Sequence, residues 1–585
     1  MHSKNTPASG TELVPNPHGA LLVSDVPLSF WGGISAADGN VIDEHHPLAG
    51  NNVCGRILVI PGSRGSCSGS SVLLELIDSN RAPAALVFSE AEEILVLGAM
   101  VANVMFGKSL PILQIDADVF SQLNNGTAAR IDGKQLIVET FHGEHTFHGK
   151  RINIDAQNTS FAEFELTEND NRILNGDDGK AAQVAMQITL CMAQIQGATQ
   201  LINIKQAHID GCVYNGLSNL KFAEQLVAWG AKVKVPTTLN AISVDQKQWR
   251  AQGIRPEFGQ PASDVGDAYV AMGAEKTFTC APYLLNSAPA LGDQIVWAES
   301  NAVAYANSVL GAKTQKYPDF LDICIALTGR APFIGTHLDS GRLPAMSIDV
   351  PNPWNKDESF WPLLGYHVGL LASNDIPMVL GLESSDPTTD DLKAFSAAFA
   401  TTSSVPMFHI RGITPEACNP AITDALNALN SMTRKTVSTN ELGNSWSSLN
   451  TATTDRVDMV CLGNPHFSYT ECAQLSALCS SHIKNDSVAI VVTLGRTIYQ
   501  QCEDAGIAQA LKKFGVQFVM DTCWCMLEEP VIPPNGSVLM TNSGKYAHYG
   551  PGLVKRPIHF GSLADCVEAA CTGIRVIKKP NWLTT

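Results

Sequence analysis

Apolar runs of two kinds alternate through the first part of the chain. Residues 56–62 (RILVIPG), 84–90 (AALVFSE) and 110–116 (LPILQID) are short and dominated by Val, Ile and Leu, which is typical of buried strands. Between them, residues 71–80 and 91–107 repeat apolar positions with the spacing of a helix. This alternation of strand and helix predicts an α/β fold built on a parallel sheet.

A polar stretch rich in His, Asn and Gly, from Asn124 to Ser160, separates this region from the rest of the chain. After it, longer helical segments alternate with apolar strands that end in Gly, Pro or polar residues, a pattern typical of doubly wound sheets whose ligands gather at the strand ends. We therefore predict a disordered tail at 1–19, a small α/β domain at 20–136, a linker at 137–160 and a large multi-layer α/β domain at 161–585.

The charge balance argues against one class of partner. The chain has 39 Lys and Arg against 56 Asp and Glu, a formal net charge of −17, and no basic run with interleaved aromatic residues of the kind that binds nucleic acid. No apolar segment reaches the roughly 18 residues of a membrane span, and the N-terminus lacks the apolar core of a secretion signal. We expect a cytoplasmic monomer or small homo-oligomer that binds a small molecule, and neither nucleic acid nor a membrane.

The chain contains 15 cysteines, an odd number without the spacing of a disulfide framework, so we interpret them as reduced thiols. No C-x-x-C pair is present, which disfavours a zinc ribbon and a thioredoxin-like redox pair. Cys280, Cys324, Cys461, Cys523 and Cys525 lie beside predicted turns. Three or four thiolates from distant segments would suit an iron–sulfur cluster, although a single Cys is more often a small buried hydrophobe.

Residues 61–70 (PGSRGSCSGS) form a glycine-rich loop between a predicted strand and a predicted helix. Glycines such as Gly65 let backbone N–H groups turn inward, and the helix N-terminus adds partial positive charge, so the loop is expected to bind an anion such as a carboxylate. Arg64 would add a bidentate partner. The alternative is a plain turn in which Ser66 or Ser68 caps the helix.

Hydrogen-bonding side chains also lie near the ends of other predicted strands. The residues concerned are His208, Thr238, Asn240, Ser543 and Lys545. Ser543 and Lys545 belong to TNSGKYAHYGP at 541–551, a second candidate cradle for an anion, for which the alternative is an exposed turn. His208 is a candidate ligand or acid–base group, although lone histidines are more often structural.

Taken together, these segments resemble the aconitase X family, a branch of the aconitase superfamily. The matching motifs run in order along nearly all of the chain after residue 20: PGSRGSCSGS, LTENDNRILNGDDGKAAQVAM, AHIDGCVYNG, KVPTTLN, TCAPYLL, WAESNAVAYANSVLGAKT, LTGRAP, FHIRGITPEA, GNPHFS, MDTC and TNSGKYAHYGPG. The resemblance implies a small swivel domain followed by a large aconitase-like catalytic domain.

Two dehydratase activities are known in that family. One acts on mevalonate 5-phosphate, usually in two subunits, and the other acts on cis-3-hydroxy-L-proline, often in one fused chain. This chain is fused, and residues 463–466 read GNPH where the mevalonate-phosphate branch is expected to read GCPH. The resemblance therefore implies a hydro-lyase that forms Δ1-pyrroline-2-carboxylate from cis-3-hydroxy-L-proline. The alternatives are mevalonate 5-phosphate or another small hydroxy acid as substrate, and a non-catalytic sensor.

The same resemblance implies roles for individual residues. Iron would act as a Lewis acid on the leaving hydroxyl, held by Cys280, Cys324 and Cys523 with Cys461 and Cys525 in reserve. A [2Fe–2S] cluster is expected, with mononuclear iron or a [4Fe–4S] cluster as alternatives. Ser66 would be the base that removes the Cα proton, with Ser68 as its alternative. The residues expected to bind the substrate are Arg64, Gly65, His208, Thr238, Asn240, Ser543 and Lys545.

Overall fold

The computed structural model describes residues 17–372, 374–420 and 433–584. Residues 1–16, which make up most of the predicted N-terminal tail, lie outside the described residues. The last two residues of that tail, His18 and Gly19, begin strand β1 (His18–Val23), which pairs in parallel with β2 (Ile57–Ile60). The first sheet therefore begins before the predicted domain boundary at residue 20.

The first sheet has eight strands. After β1 and β2 they are β3 (Ala85–Phe88), β4 (Ile112–Gln114), β5 (Ala128–Asp132), β6 (Gln135–Thr140), β7 (Gly143–His148) and β8 (Lys150–Arg151). Their spatial order is β7-β6-β5-β1-β2-β3-β4-β8, and β1 to β4 are parallel to one another. The three apolar runs predicted as strands thus form the buried parallel centre.

Residues 137–151, which the polar composition assigned to a linker, belong to this sheet as the end of β6 together with β7 and β8. Strand β7 pairs antiparallel with β6 at the edge of the sheet, and most of its side chains are exposed. An edge strand of this kind has no apolar face to reveal it. For that reason its sequence, GEHTFH, is indistinguishable from a loop.

Two helices cover the parallel strands, α1 (Gly69–Asp78) and α2 (Ile94–Phe106), followed by the short α3 (Ala117–Phe120). Helices α1 and α2 pack closely because Gly98 faces the backbone of the neighbouring helix. A Cβ atom at Gly98 would lie only 2.6 Å from the Ser70 carbonyl oxygen. This contact fixes the start of α1, and with it the loop at 61–70.

The next part of the chain carries a three-stranded parallel sheet, β11-β10-β12, and an antiparallel pair, β13-β9. Its elements are α4 (Glu168–Leu174), α5 (Lys180–Gln196), β9 (Leu201–Asn203), β10 (Ala207–Ile209), α6 (Leu217–Ala228), β11 (Thr237–Leu239), α7 (Pro256–Ala271), β12 (Val296–Trp297), α8 (Ser300–Tyr305), α9 (Leu321–Thr328) and β13 (Arg330–Pro332). The carboxyl ends of β10 and β11 lie side by side, since His208 pairs with Thr238.

Two further parallel sheets complete the described chain, with orders β16-β15-β14-β17 and β20-β19-β18-β21-β22. The elements of the first are β14 (Met346–Asp349), α10 (Phe360–Ala372), β15 (Pro377–Leu380), α11 (Thr389–Thr402), β16 (His409–Ile410), β17 (Thr433–Thr436) and α12 (Thr439–Ser448). Those of the second are β18 (Met459–Leu462), α13 (Tyr469–Cys479), β19 (Ala489–Leu494), α14 (Arg496–Asp504), α15 (Ile507–Phe514), β20 (Val516–Met520), β21 (Leu539–Thr541), α16 (Gly544–Val554), β22 (Ile558–Phe560) and α17 (Leu563–Thr572).

Layers of helices on mostly parallel sheets confirm the α/β class and the small-plus-large architecture predicted from the alternating pattern. Within the described ranges, no helix has both the length and the apolar character needed to cross a membrane.

Candidate active site

The glycine-rich loop at residues 61–70, here called the serine loop, connects β2 to α1 as predicted. Gly65 has a φ of +77°, and a Cβ atom there would collide with the Tyr549 hydroxyl, so this position requires glycine. Ser66 and Ser68 are 8% and 2% exposed. Ser68 precedes α1, but its side chain makes no capping hydrogen bond. Its hydroxyl is therefore used elsewhere.

The Ser68 hydroxyl donates a hydrogen bond across to the large domain, from Oγ to Oδ2 of Asp210 at 2.9 Å. Ser66 Oγ approaches Ser68 Oγ at 3.4 Å. Asp210 follows β10, and its other oxygen accepts a hydrogen bond from the side-chain amide of Asn240, which follows β11. The structure thus brings Ser66, Ser68 and Asn240 together around a carboxylate that the sequence analysis did not single out.

The carboxylate of Asp210 is only 2% exposed. Burial and the nearby charge of Glu299 raise the pKa of Asp210 to about 6, although hydrogen bonds from Ser68 and Asn240 act in the opposite direction. Two more carboxylates lie beside it. Asp322 accepts the backbone N–H of Asp210 at 2.7 Å, and Asp319 interacts with the Asp210 side chain. At neutral pH this group can therefore exchange protons.

His208 on β10 and Thr238 on β11 form a separate hydrogen-bonded pair. The ring Nδ1 of His208 and the hydroxyl of Thr238 are 2.8 Å apart. His208 is fully buried, and burial lowers its pKa to about 3, so the ring is neutral. Its Nε2 has no hydrogen-bond partner among the described residues. Both side chains of the pair are therefore uncharged, and neither provides a charged acid–base group.

The cations predicted to hold a carboxylate are already paired with acidic residues. Arg64 lies 3.1 Å from Asp43, and its Nε is buried without a hydrogen-bond partner within the described ranges. Lys545 lies 2.6 Å from Glu299, with both side chains buried. Ser543 caps α16, accepting from the N–H of Tyr546 at 3.1 Å. Each charge is thus fixed in place, and Arg64 retains an unused donor.

A further cation, Lys316, lies near both the serine loop and the Lys545 pair. Burial lowers the pKa of Lys316, as does Lys545, while Cys67 and Glu299 act to raise it. Its Nζ donates to the Ser403 carbonyl at 3.1 Å. Lys316 stands in TQKYPD, a segment without a recognisable motif, so only the folded structure connects it with the site.

Three buried thiols form a cluster, here called the thiol cluster: Cys280, Cys523 and Cys525. Cys523 follows β20 and interacts by hydrogen bonds with the thiols of both Cys280 and Cys525. These two bonds, with help from Lys545 and His466, lower the pKa of Cys523 well below its ordinary value. The fold thus brings Cys280 beside Cys523, which is distant from it in the sequence.

The thiol cluster also receives donors from the GNPH segment. The side-chain amide of Asn464 donates to the Cys525 sulfur at 3.1 Å, and the backbone N–H of His466 donates to the Cys280 sulfur at 3.2 Å. His466 is in turn held between Thr279 and the Thr522 carbonyl. Sequence analysis identified GNPH only as a departure from the expected GCPH, whereas the structure places it against the sulfurs.

Within the described residues, no hydrogen bond joins the other two predicted thiols to the thiol cluster. Cys324 is on α9, where burial and then Asp322 raise its pKa above the usual range. Cys461 is on β18 beside Tyr546, which also lies near Cys523 and Cys525, and burial alone raises the pKa of Cys461. Among the described residues, no group of three or more His, Cys, Asp or Glu side chains is arranged to hold a metal ion as it stands.

Comparison with known families matches four models to consecutive parts of the chain. They are the aconitase X swivel domain at residues 11–140, the aconitase X first domain at 163–340, the second domain at 344–447 and the third domain at 457–572. The serine loop thus lies in the part of the chain that matches the swivel-domain model. Asp210 and Cys280 lie in the part that matches the first-domain model, and Cys523 and Cys525 lie in the part that matches the third-domain model.

The cis-3-hydroxy-L-proline dehydratase of Hypocrea jecorina is 48% identical to this chain, over 100% of this chain and 98% of its own length. The cis-3-hydroxy-L-proline dehydratase of Pseudomonas aeruginosa is 50% identical, over 97% of this chain and 96% of its own length. The phosphomevalonate dehydratase large subunit of Methanocaldococcus jannaschii is 31% identical over 69% of this chain and 99% of its own. The crystal structure of Thermococcus kodakaraensis aconitase X in its holo-form covers 70% of this chain and 100% of its own, with 30% identity and a TM-score of 0.63.

Proposed function

Because this chain belongs to the aconitase X family, we propose that it is a dehydratase that converts cis-3-hydroxy-L-proline to Δ1-pyrroline-2-carboxylate. The observation that carries this proposal is the 48–50% identity to two cis-3-hydroxy-L-proline dehydratases over nearly the whole of both chains. The matched length spans the segments that carry the serine loop and the thiol cluster, which lie in different domains. The phosphomevalonate dehydratase large subunit is more distant at 31% identity.

The donor set of the thiol cluster fits an iron–sulfur group. Iron–sulfur clusters are held by thiolates, and Cys280, Cys523 and Cys525 are buried neighbours, with the pKa of Cys523 lowered by the other two thiols. We assign these three residues as its holders in place of the set with Cys324, and we expect a [2Fe–2S] form. When bound, the group supplies a Lewis acid for the leaving hydroxyl.

The serine loop is suited to the other half of the reaction, removal of the Cα proton. Ser68 presents a buried hydroxyl whose own proton is directed to Asp210 at 2.9 Å. The N-terminus of α1 adds partial positive charge next to the same oxygen, which stabilises an alkoxide. Loss of water leaves an enamine that tautomerises to the pyrroline without a redox cofactor.

The substrate carboxylate is expected to bind between the serine loop and Lys545. Arg64 has an unpartnered Nε within the described residues, and Lys316 and Lys545 supply positive charge nearby. Asp43 and Glu299 already pair with Arg64 and Lys545, and the carboxylates of Asp210, Asp319 and Asp322 lie beside the serine loop. The preference for the amino-acid substrate over mevalonate 5-phosphate therefore rests on the sequence identities.

The test is to purify the protein without oxygen, measure its iron content and visible absorption, and follow pyrroline formation with o-aminobenzaldehyde. We expect coloured protein that turns over cis-3-hydroxy-L-proline and leaves mevalonate 5-phosphate unchanged. Coloured protein that acts only on mevalonate 5-phosphate would overturn the substrate. Colourless, iron-free protein that is fully active would overturn the Lewis-acid part of the proposal.

A further inference from the structure

Ser66 and Ser68 differ in what receives their hydroxyl protons. The Ser68 hydroxyl has a carboxylate acceptor at 2.9 Å, Oδ2 of Asp210. Within the described chain, the Ser66 hydroxyl has only another hydroxyl as its acceptor, Ser68 Oγ at 3.4 Å. A hydroxyl carries one proton and two lone pairs. The proton of Ser68 is directed to Asp210 and one lone pair accepts from Ser66, so the other lone pair of Ser68 Oγ can face the substrate.

We propose that Asp210 is a positioning residue that draws the hydroxyl proton of Ser68 and thereby makes Ser68, and not Ser66, the base of the dehydration. This inference rests on the proposed function and deepens it. Asp210 acts across a domain boundary, because Ser68 lies in the part matched by the swivel-domain model and Asp210 in the part matched by the first-domain model. Asn240 fixes the orientation of the carboxylate by donating to its other oxygen.

The proton balance of the step is complete without another reactant. The Cα proton of the substrate moves to Ser68 Oγ while the Ser68 hydroxyl proton moves to Asp210 Oδ2. The electrons of the Cα–H bond form the Cα–Cβ double bond, and the hydroxyl group leaves Cβ with the electrons of the C–O bond. The departing hydroxide takes up the proton that Asp210 received, so water is the net product and Asp210 is ionised again.

The surroundings of Asp210 suit such a temporary proton acceptor. The titratable groups that face it are Glu299, Asp319, Asp322, Cys67 and Cys212. Burial and the Glu299 charge raise the pKa of Asp210 to about 6, near neutrality, where proton transfer in both directions is efficient. Asp210 must be ionised to accept the Ser68 proton, so activity should fall as pH decreases through this value.

The first test is Asp210→Asn, which keeps the size of the side chain and can keep the bond to Asn240 but turns an N–H toward Ser68. We expect kcat to fall by about 10²- to 10⁴-fold, with KM changed only a few-fold and with unchanged iron content and visible spectrum. Adding Ser68→Ala to this variant should cost little more, since the two residues act as a unit. The matched control Ser66→Ala should lose less than about tenfold.

The second test is Asn240→Ser, which removes a hydrogen bond that lowers the pKa of Asp210. The acidic limb of kcat/KM should move to higher pH, a change that a purely structural role of Asp210 would not produce. This variant decides the question even where Asp210→Asn does not fold. An active Asp210→Asn enzyme, a Ser66→Ala loss as large as that of Ser68→Ala, or an unmoved limb would overturn the inference. Failure of the wild type on cis-3-hydroxy-L-proline would instead overturn the proposed function.

Discussion

The two halves of the candidate site are assembled in different ways. The serine side depends on contacts between domains: beyond the Ser68–Asp210 bond, Ser70 Oγ donates to the Asp319 carbonyl at 3.3 Å, and the Asn215 amide donates to Ser71 Oγ at 2.7 Å. The thiol cluster depends on one turn after β20 and on Cys280, all within the large domain. A displacement of the first sheet would therefore separate Ser68 from Asp210 while the sulfurs remain together.

This difference indicates that iron retention and proton abstraction can be lost independently. A protein that binds iron without turning over substrate has an intact thiol cluster and a displaced or altered serine loop. A protein that lacks iron can still have the swivel domain docked. The following variants are chosen to separate the two halves.

The largest effect is expected for Cys523→Ala, because Cys523 contacts both other members of the thiol cluster. Iron content, visible absorption and dehydratase activity should all drop to background. The matched control is Cys324→Ala on α9, a buried thiol of the set that the resemblance implied, which should keep its iron. Iron lost from the Cys324 variant and kept by a Cys525→Ala variant would contradict our assignment and favour the set with Cys324.

Next in size is Ser68→Ala on the serine side. Removing the base should lower kcat by about 10³-fold or more, while iron content and absorption stay at the wild-type level. Such a result would show that the two halves of the site are separable. Loss of iron together with loss of activity would show instead that the serine loop is needed to keep the thiol cluster in place.

The sequence predicted the contiguous parts of this site and missed those that depend on contacts between distant segments. The family and the α/β architecture are confirmed, and the serine loop lies where the strand–glycine–helix pattern predicted it. Asp210 was missed because AHIDG carries no catalytic motif, and its partner is 142 residues away. Cys324 and Cys525 could not be ranked, since spacing along the chain does not tell which thiol reaches Cys523. The composition of the predicted linker did not reveal β7, because an exposed edge strand has the composition of a loop.

A stability effect follows from the buried ion pair beside the thiol cluster. Lys545→Met removes the cation that is paired with Glu299, and the two charged groups lie 2.6 Å apart with both side chains buried. Leaving a buried charge unpaired typically costs about 3–5 kcal/mol, so the thermal midpoint should fall clearly. The double variant Lys545→Met/Glu299→Gln should recover part of that loss. A single variant as stable as the wild type would mean that Glu299 takes up a proton or another partner.

The smallest effect is expected for Gly65→Ala, and it bears on how tightly the serine side is fitted. Two costs apply there: a φ of +77°, and a collision of the new methyl group with the Tyr549 hydroxyl. Gly50 has a φ of +79°, and no atom lies within 4 Å of the position that a new methyl group would take, so Gly50→Ala isolates the backbone cost, about 1–2 kcal/mol. If the serine loop is held against α16, the collision should make Gly65→Ala less stable than Gly50→Ala by about 1–3 kcal/mol and should also lower kcat, with iron retained. Equal melting temperatures and unchanged kcat would mean that the loop moves aside freely, and domain docking would then not control Ser68.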